Sequence, residues 1–354
     1  MRNYNSCLDL IKGFACVFVV WMHCEFPGEL GVAVQAISRF SVPFFFMVSG
    51  FFSSRINYSK ENNTKRTNII VNNYKVKHIA VITFWSCLFY LAWTLFRFFA
   101  FRDVSLSISK SEIVIWLLFN QPAVIAGHLW FLFALLYVYI FVSIIDNTKA
   151  KNYQYILGLV ALVALYILGQ AIHVFGIRFY VPGFIKSFVN ISLPETVSVP
   201  NFLYRNWLIE GFAFFMLGRW LKENGNNLTM SNRMVIILFV VSSILCLVER
   251  KLMGRDFGVN IFTLPQVLSL FLYAINNPNG HEGFMQRIGR DCSMIVYIVH
   301  IFIWQVLAIF YRSIGLDSSK IALYLLPVLV VIFSIALSVM YNRIIASRLT
   351  LKKR

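Results

Sequence analysis

The sequence predicts an all-α polytopic membrane protein: a helical bundle with about ten transmembrane helices and both termini in the cytoplasm. Three observations indicate this fold class, namely the composition, the spacing of the apolar runs and the distribution of Lys and Arg. The 354-residue chain is 59% hydrophobic and 13% charged, and its mean hydropathy of +0.71 is far above that of an ordinary soluble domain. We therefore expect the chain to be embedded in a membrane.

Ten apolar runs have the length of a membrane span, separated by polar, Gly- or Pro-bearing stretches such as "FPGELG" and "NNPNGHEG". The first run is predicted to remain as helix one, because no small-x-small cleavage site follows "WMHCEF". "SEIVIWLLFNQP" is too short to span and is predicted to be a partial helix. We expect one domain over residues 1–354, with a basic tail at about 343–354. The runs begin near Leu8, Val32, His78, His128, Tyr153, Trp207, Met234, Asn260, Cys292 and Ile321.

Lys and Arg set the predicted orientation of the bundle. They are concentrated after spans two, four, six and eight and in the tail, whereas most acidic residues lie in the opposite loops. This asymmetry places both termini in the cytoplasm and predicts a multi-pass protein of the inner or plasma membrane. The net charge of +17 is then mainly a signal for topology and lipid headgroups. Nucleic acid is not expected as a partner, since no basic, aromatic-interleaved soluble module is present.

The first span carries a polar stripe. In "DLIKGFACVFVVWMHCE", eleven helical steps of about 100° return Lys12 and His23 to one face, roughly 16 Å apart along the axis, with Asp9 and Cys16 near that face. Lys12 is equally well explained by snorkelling to headgroups with Asp9 as its partner. His23 alone is also compatible with an interfacial histidine.

Further polar residues are expected near the depth of His23. Arg39 precedes "SVPFFFMVSGFF" in span two, and His128 opens span four in "GHLWFLFALLY". Arg205 and Glu210 enter span six from the same side, in "YRNWLIEGFAFFMLG", and one alternative is that they simply pair with each other. Ser49 and Gly50 are also explained by close helix approach.

Two other sets of residues carry weaker signals. His300, in "CSMIVYIVHIFIW", is predicted to be a satisfied core histidine. The six cysteines are scattered without a C-x-x-C pair and are predicted to be small buried hydrophobes. No metal site is expected.

The chain resembles the acyltransferase family 3 integral membrane proteins. Asp9, Lys12, Gly13 and His23 match the family's first-helix pattern of D-x-x-[R/K]-G with a basic residue, ten residues and then histidine; Lys stands where Arg is more frequent. "PFFFMVSGFF", "HLWFL" and "RNWLIEGFAFFMLG" are similar to its further motifs in order. Each motif is loose by itself, but together they cover the whole chain.

The resemblance implies O-acyl transfer, usually of acetyl from acetyl-CoA, to a hydroxyl of a cell-surface or lipid-linked carbohydrate. Acyl-CoA is then a co-substrate, and no permanently bound cofactor is expected. A neutral imidazole can take the hydroxyl proton, and cations can neutralise phosphates or an oxyanion. On this basis we assign His23, His128 and Glu210 to catalysis, Asp9, Lys12 and Ser49 to the donor, and Arg39, Arg205 and Trp130 to the acceptor.

Other function classes stay open at this stage. A transporter or flippase of a small polar or glycolipid substrate would also place histidines and arginines along a path through the membrane. A purely structural role fits less well, because it does not require charges inside the membrane. No G-x-S-x-G elbow is present, which disfavours a serine hydrolase.

Overall fold

The computed structural model describes residues 5–53, 64–104, 110–122, 126–171, 179–180, 196–197, 201–228, 230–254, 258, 260–279 and 283–351. The last residues of the expected basic tail, 352–354, lie outside this range. The α-helices, numbered α1 to α13 in chain order, are Ser6–His23, Gly28–Ser38, Ser41–Phe51, Thr64–Ala100, Lys110–Phe119, Trp130–Asp146, Gln154–Tyr166, Phe212–Asn224, Asn232–Met253, Thr263–Asn276, Phe284–Arg287, Ser293–Ser313 and Lys320–Leu351. Three wide π turns adjoin these helices, at Ile167–Ala171, Trp207–Gly211 and Ile288–Cys292.

The predicted all-α membrane bundle is confirmed. A pair of two-residue strands, Phe179–Tyr180 (β1) and Thr196–Val197 (β2), is the β-structure seen in the described part of the chain. Seven helical segments among the described residues are long and apolar enough to cross a membrane. They correspond to predicted spans one to five, nine and ten, and are Ser6–His23, Gly28–Phe51, Tyr74–Ala100, Gly127–Asp146, Lys149–Gly169, Phe284–Ser313 and Lys320–Ile344.

The other three predicted spans also coincide with helices. They are α8 with the π turn before it, α9, and the 14-residue α10. The short segment near Glu112 forms the ten-residue helix α5, in agreement with the predicted partial helix. The cytoplasmic location of the two termini stays a prediction.

Large apolar side chains are exposed along several of these helices. Phe84, Trp85 and Phe99 on α4 are 61–75% exposed, and Leu252 and Ile321 are more than 70% exposed. A water-soluble protein rarely exposes such extended apolar surface. Lipid contact accounts for it, in agreement with a multi-pass membrane protein.

The described chain divides into two compact units. The first unit comprises Met1–Phe45, Gly225–Asp256 and Asn260–Arg354, and the second comprises Phe46–Asn224 and Phe257–Val259. The first contains α1, α2 and α9 to α13, and the second contains α4 to α8. Helix α3 contributes its first residues to the first unit and its remainder to the second.

The first unit is built around α1. Its core includes the buried side chains of Cys16, Val20, Ile288, Val296 and Val330. Helix α1 packs closely on the segment that contains α11 and the π turn after it. A Cβ atom on Gly13 would clash with the carbonyl oxygen of Met285, and one on Gly289 would clash with that of Asp9. Two glycines therefore allow the backbones to meet at this crossing.

The second unit uses the same device between α3 and α8. A Cβ atom on Gly50 would clash with the carbonyl oxygen of Phe215, and one on Gly218 would clash with that of Met47. Gly50 therefore permits close helix approach, one of the two explanations that the sequence offered for the Ser49–Gly50 pair.

Span two is interrupted at Arg39 and Phe40, between α2 and α3. Pro43 follows in the first turn of α3 and has no N–H to donate to the carbonyl of Arg39, so a continuous helix would lose that hydrogen bond. Arg39 lies in the middle of the 24-residue span Gly28–Phe51, and not at the end of a span as expected from the sequence. The break brings its side chain into the buried interior, where the residue is 8% exposed.

Candidate functional site

His23 is the last residue of α1 and is half-buried. Its imidazole ring lies against that of His300, from α12, with the ring centroids 5.2 Å apart and the planes inclined at 41°. His300 is completely buried, as predicted for a core histidine. Its contact with His23 is an additional feature that periodicity does not reveal, because the two residues are 277 positions apart in sequence.

Arg39, in the same unit, contacts the residue that precedes His23: its Nη1 atom is 3.4 Å from the Sδ atom of Met22. The last two residues of α1 therefore have different neighbours, a guanidinium at Met22 and an imidazole at His23. Together these side chains can accept a proton and stabilise negative charge.

The opposite end of α1 carries a separate ion pair. Lys12 Nζ lies 2.7 Å from the Oδ1 atom of Asp9, one turn away, which confirms the predicted pairing of these residues. Asp9 is 7% exposed. The two ends of α1 thus differ in chemistry, with charges that compensate each other at one end and two imidazoles at the other.

In the second unit, four predicted site residues lie on neighbouring elements. The guanidinium carbon of Arg205 is 5.4 Å from the centre of the Trp130 ring, and Arg205 Nε is 3.7 Å from Glu210 Oε2. Glu210 is 2% exposed and sits in the π turn that begins α8. His128 is buried in the turn before α6 and meets the edge of Tyr90 at a centroid distance of 4.7 Å. We call Trp130, Arg205 and Glu210 the arginine cluster.

Asn120 and Gln121 support the arginine cluster, and the sequence did not single them out. Asn120 donates to the carbonyl of Trp130 at 3.0 Å and accepts from the backbone N–H of Trp207 at 2.8 Å. Gln121 donates to the carbonyl of Arg205 at 2.8 Å. Asn120 is fully buried with a φ of 52°, a conformation that Asn tolerates better than most residues. The polar "NQP" after an apolar run is the sequence feature that could have indicated these two residues.

Another part of the second unit contains Ser49 and several cations. The Ser49 carbonyl accepts a hydrogen bond from Tyr139 at 3.4 Å. Lys75 donates to the carbonyl of Phe52 at 2.7 Å, and Lys222 lies 4.7 Å from the centre of the Phe51 ring. On the sequence alone these lysines indicate the orientation of the bundle, and neither is assigned to a site.

The predicted site residues are therefore distributed over both units. The first unit holds Asp9, Lys12, His23 and Arg39, and brings His23 together with His300. The second unit holds Ser49 beside Tyr139, in the middle of α6, and holds His128, Trp130, Arg205 and Glu210 near the start of that helix. Tyr139 is nine positions after Trp130, so the two levels are roughly 14 Å apart along the helix axis. Within the described part of the chain, no group of three or more His, Cys, Asp or Glu residues is placed to hold a metal ion.

Comparison with known proteins gives one match. A family model described as an acyltransferase domain, acyltransferase family 3, matches residues 5–343. The match includes every residue assigned above to the site. The curated proteins and the solved structures contain no match to the chain.

Proposed function

The chain belongs to acyltransferase family 3, a family of membrane acyltransferases, and from this premise we propose that it transfers an acetyl group from acetyl-CoA to a hydroxyl of a cell-surface or lipid-linked carbohydrate. The observation that carries the proposal is the half-buried His23 at the end of span one, with a second imidazole against its ring and a buried guanidinium on the preceding residue, Met22. Acylation of a hydroxyl requires a general base and a group that stabilises negative charge, and these side chains can provide both.

The proposed chemistry begins at His23. Its imidazole removes the proton from the acceptor hydroxyl as the hydroxyl oxygen attacks the thioester carbonyl. The C–O bond forms, the C–S bond breaks, and the proton passes from His23 to the departing thiolate, which leaves as the thiol of CoA. Arg39 provides positive charge for the oxyanion of the tetrahedral intermediate.

The arginine cluster is proposed to bind the acceptor. Sugars present hydroxyl groups and an apolar ring face, and the Trp130 ring with the Arg205 guanidinium offers a surface for both. Glu210 holds the guanidinium and can accept a sugar hydroxyl proton in a hydrogen bond. His128 and Glu210 then act at the acceptor, and Trp130 and Arg205 orient it.

The donor is proposed to bind at the cytoplasmic side. Lys12 is the donor cation predicted from the sequence, and within the second unit Lys75 and Lys222 lie near Ser49, the other residue assigned to the donor. Acetyl-CoA carries several phosphate charges, which lysines bind as point charges. Its extended arm would cover the distance of roughly 16 Å between Lys12 and His23.

The test uses sealed vesicles of known orientation, prepared from the plasma or inner membrane of cells that make this protein. Acetyl-CoA labelled in the acetyl group is supplied on the cytoplasmic side, and a cell-envelope glycan fraction is confined to the other side. We expect label in the glycan while the nucleotide stays where it was added. Movement of the glycan without acylation would favour a transporter, and transfer only when both substrates share the cytoplasmic side would contradict the proposed sidedness.

A further inference from the structure

The contact between His23 and His300 joins a half-buried imidazole at the end of α1 to a fully buried one in the middle of α12. The ring centroids are 5.2 Å apart, and His300 is 0% exposed. At this separation a small rotation of either ring, or a bridging water, is enough to join the two imidazoles by a hydrogen bond. His300 is thus placed to act on the orientation and the proton of His23.

The backbone fixes which nitrogen of His300 carries a hydrogen. The Nδ1 atom lies 2.7 Å from the carbonyl oxygen of Tyr297 and 3.2 Å from that of Val296. Carbonyl oxygens only accept hydrogen bonds, so Nδ1 bears the hydrogen and donates it. In a neutral imidazole with a protonated Nδ1, the Nε2 atom is an acceptor. His300 therefore offers an acceptor and no donor at its Nε2 end.

We propose that His300 is a positioning residue for His23: its Nε2 accepts the N–H of His23, which selects the tautomer whose other nitrogen faces the acceptor hydroxyl. The same hydrogen bond stabilises the imidazolium that forms when His23 takes the proton. The relationship is that of a base and the group that orients it, with an imidazole in the orienting place. This inference rests on the proposed function of His23.

Other ionisable groups lie on the elements that pack against α1, and they bear on any pH profile. Three of the carboxylates have partners: Asp9 pairs with Lys12, Asp291 with Arg290, and Glu25 accepts from Gln35 at 2.6 Å. Imidazoles are the side chains whose unperturbed titration falls near pH 6.5. Besides the two histidines, the ionisable side chains that the structure describes on these elements are Cys7, Asp9, Lys12, Cys16, Cys24, Glu25, Glu29, Arg39, Tyr273, Arg287, Arg290, Asp291, Cys292, Tyr297, Tyr311, Arg312, Lys320, Tyr324, Tyr341 and Arg343.

Two variants of His300 separate positioning from packing. In His300→Gln, the side-chain oxygen can take the place of Nε2 and restore an acceptor for His23. In His300→Asn, the side-chain amide can take the place of Nδ1 and keep the bond to the backbone carbonyl, but it provides no acceptor at the Nε2 position. Positioning therefore predicts that Gln preserves activity better than Asn, whereas a packing role predicts the reverse.

We expect acetyl transfer by His300→Asn to fall about 10- to 100-fold in kcat, with the KM for acetyl-CoA unchanged, and His300→Gln to recover most of that loss. The acidic limb of the pH profile should move to lower pH by roughly half a unit in His300→Asn, because the imidazolium of His23 loses its stabilising acceptor. Glu25→Gln is the control, and its acidic limb should stay in place.

Each activity is divided by the amount of folded protein. That amount is measured as the monodisperse peak of the detergent-solubilised variant in size-exclusion chromatography. If His300→Gln does not fold, the acidic limb of His300→Asn decides, because a loss of packing does not move it. If His300→Asn does not fold, the kcat of His300→Gln decides: recovery of most of the wild-type value supports positioning, and a fall of about 10-fold or more contradicts it. If the wild type transfers acetyl groups and His300→Asn has the same kcat and the same acidic limb as the wild type, the inference is wrong. Absence of transfer by the wild type would instead overturn the proposed function.

Discussion

The imidazole pair of the first unit and the arginine cluster of the second unit differ in how charge is held in a buried environment. His23 and His300 are groups that are neutral or charged according to the proton they hold. Arg205 is permanently charged, and it is accommodated by the face of Trp130 and the carboxylate of Glu210. Under the proposed function, the first region moves a proton and the second holds a ligand.

The largest expected effect is at the imidazole pair. His23→Ala should lower acetyl transfer by about 10²- to 10⁴-fold, the usual cost of losing a general base. The matched control is His78→Ala, since His78 is an exposed histidine stacked on Tyr74 and has no role in the proposed chemistry. Initial rates with labelled acetyl-CoA measure both variants. Near-normal turnover by His23→Ala would leave His23 as an interfacial residue.

The second expected effect is at the arginine cluster, and it concerns binding. Arg205→Ala should raise the KM for the glycan about 10- to 100-fold and change kcat much less, because it removes a charge-assisted contact and the stacking on Trp130. Arg205→Lys keeps the charge but loses the planar fork and should recover only part of the affinity. Initial rates over a range of glycan concentrations distinguish the two constants. A fall in kcat alone would place Arg205 in the chemical step and remove the contrast between the two regions.

A smaller effect is expected at the other end of α1. Lys12→Ala should raise the KM for acetyl-CoA about three- to tenfold, and Lys12→Arg should be largely tolerated, because either cation can meet a phosphate. Lys12→Ala also leaves the buried carboxylate of Asp9 without its ion pair. The double variant Asp9→Asn, Lys12→Ala removes that problem. Recovery of the KM in the double variant would show that Lys12 serves only to neutralise Asp9.

The smallest effect on turnover per folded molecule is expected at the glycine crossings, which act on stability. Gly289→Ala in the first unit and Gly50→Ala in the second should each lower the free energy of unfolding by about 1–3 kcal/mol, because the added methyl group meets a backbone carbonyl. Gly283→Ala and Gly127→Ala are the controls, since a Cβ atom there meets nothing within 4 Å. Thermal denaturation in detergent compares them. Equal stability of Gly289→Ala and Gly283→Ala would contradict the tight crossing of α1.

Local sequence patterns were sufficient to predict most of the membrane helices. Apolar runs separated by polar and Gly- or Pro-bearing stretches predicted the spans, because a membrane helix must hide its backbone and expose apolar side chains over a fixed thickness. The i,i+3 pair of Asp9 and Lys12 and the pairing of Arg205 with Glu210 were also among the readings of the sequence, since both involve residues close together in the chain.

Tertiary structure decided what depends on residues far apart in the chain. The ring contact of His23 with His300 and the support of Arg205 and Trp130 by Asn120 and Gln121 join positions up to 277 residues apart. The burial of Arg39 in the middle of span two follows from the packing around the helix break next to Pro43. Helical periodicity determines the face of the helix on which a residue lies. Which residue of another helix it contacts depends on how the whole helices pack. That choice is a property of the folded bundle, and no single segment contains it.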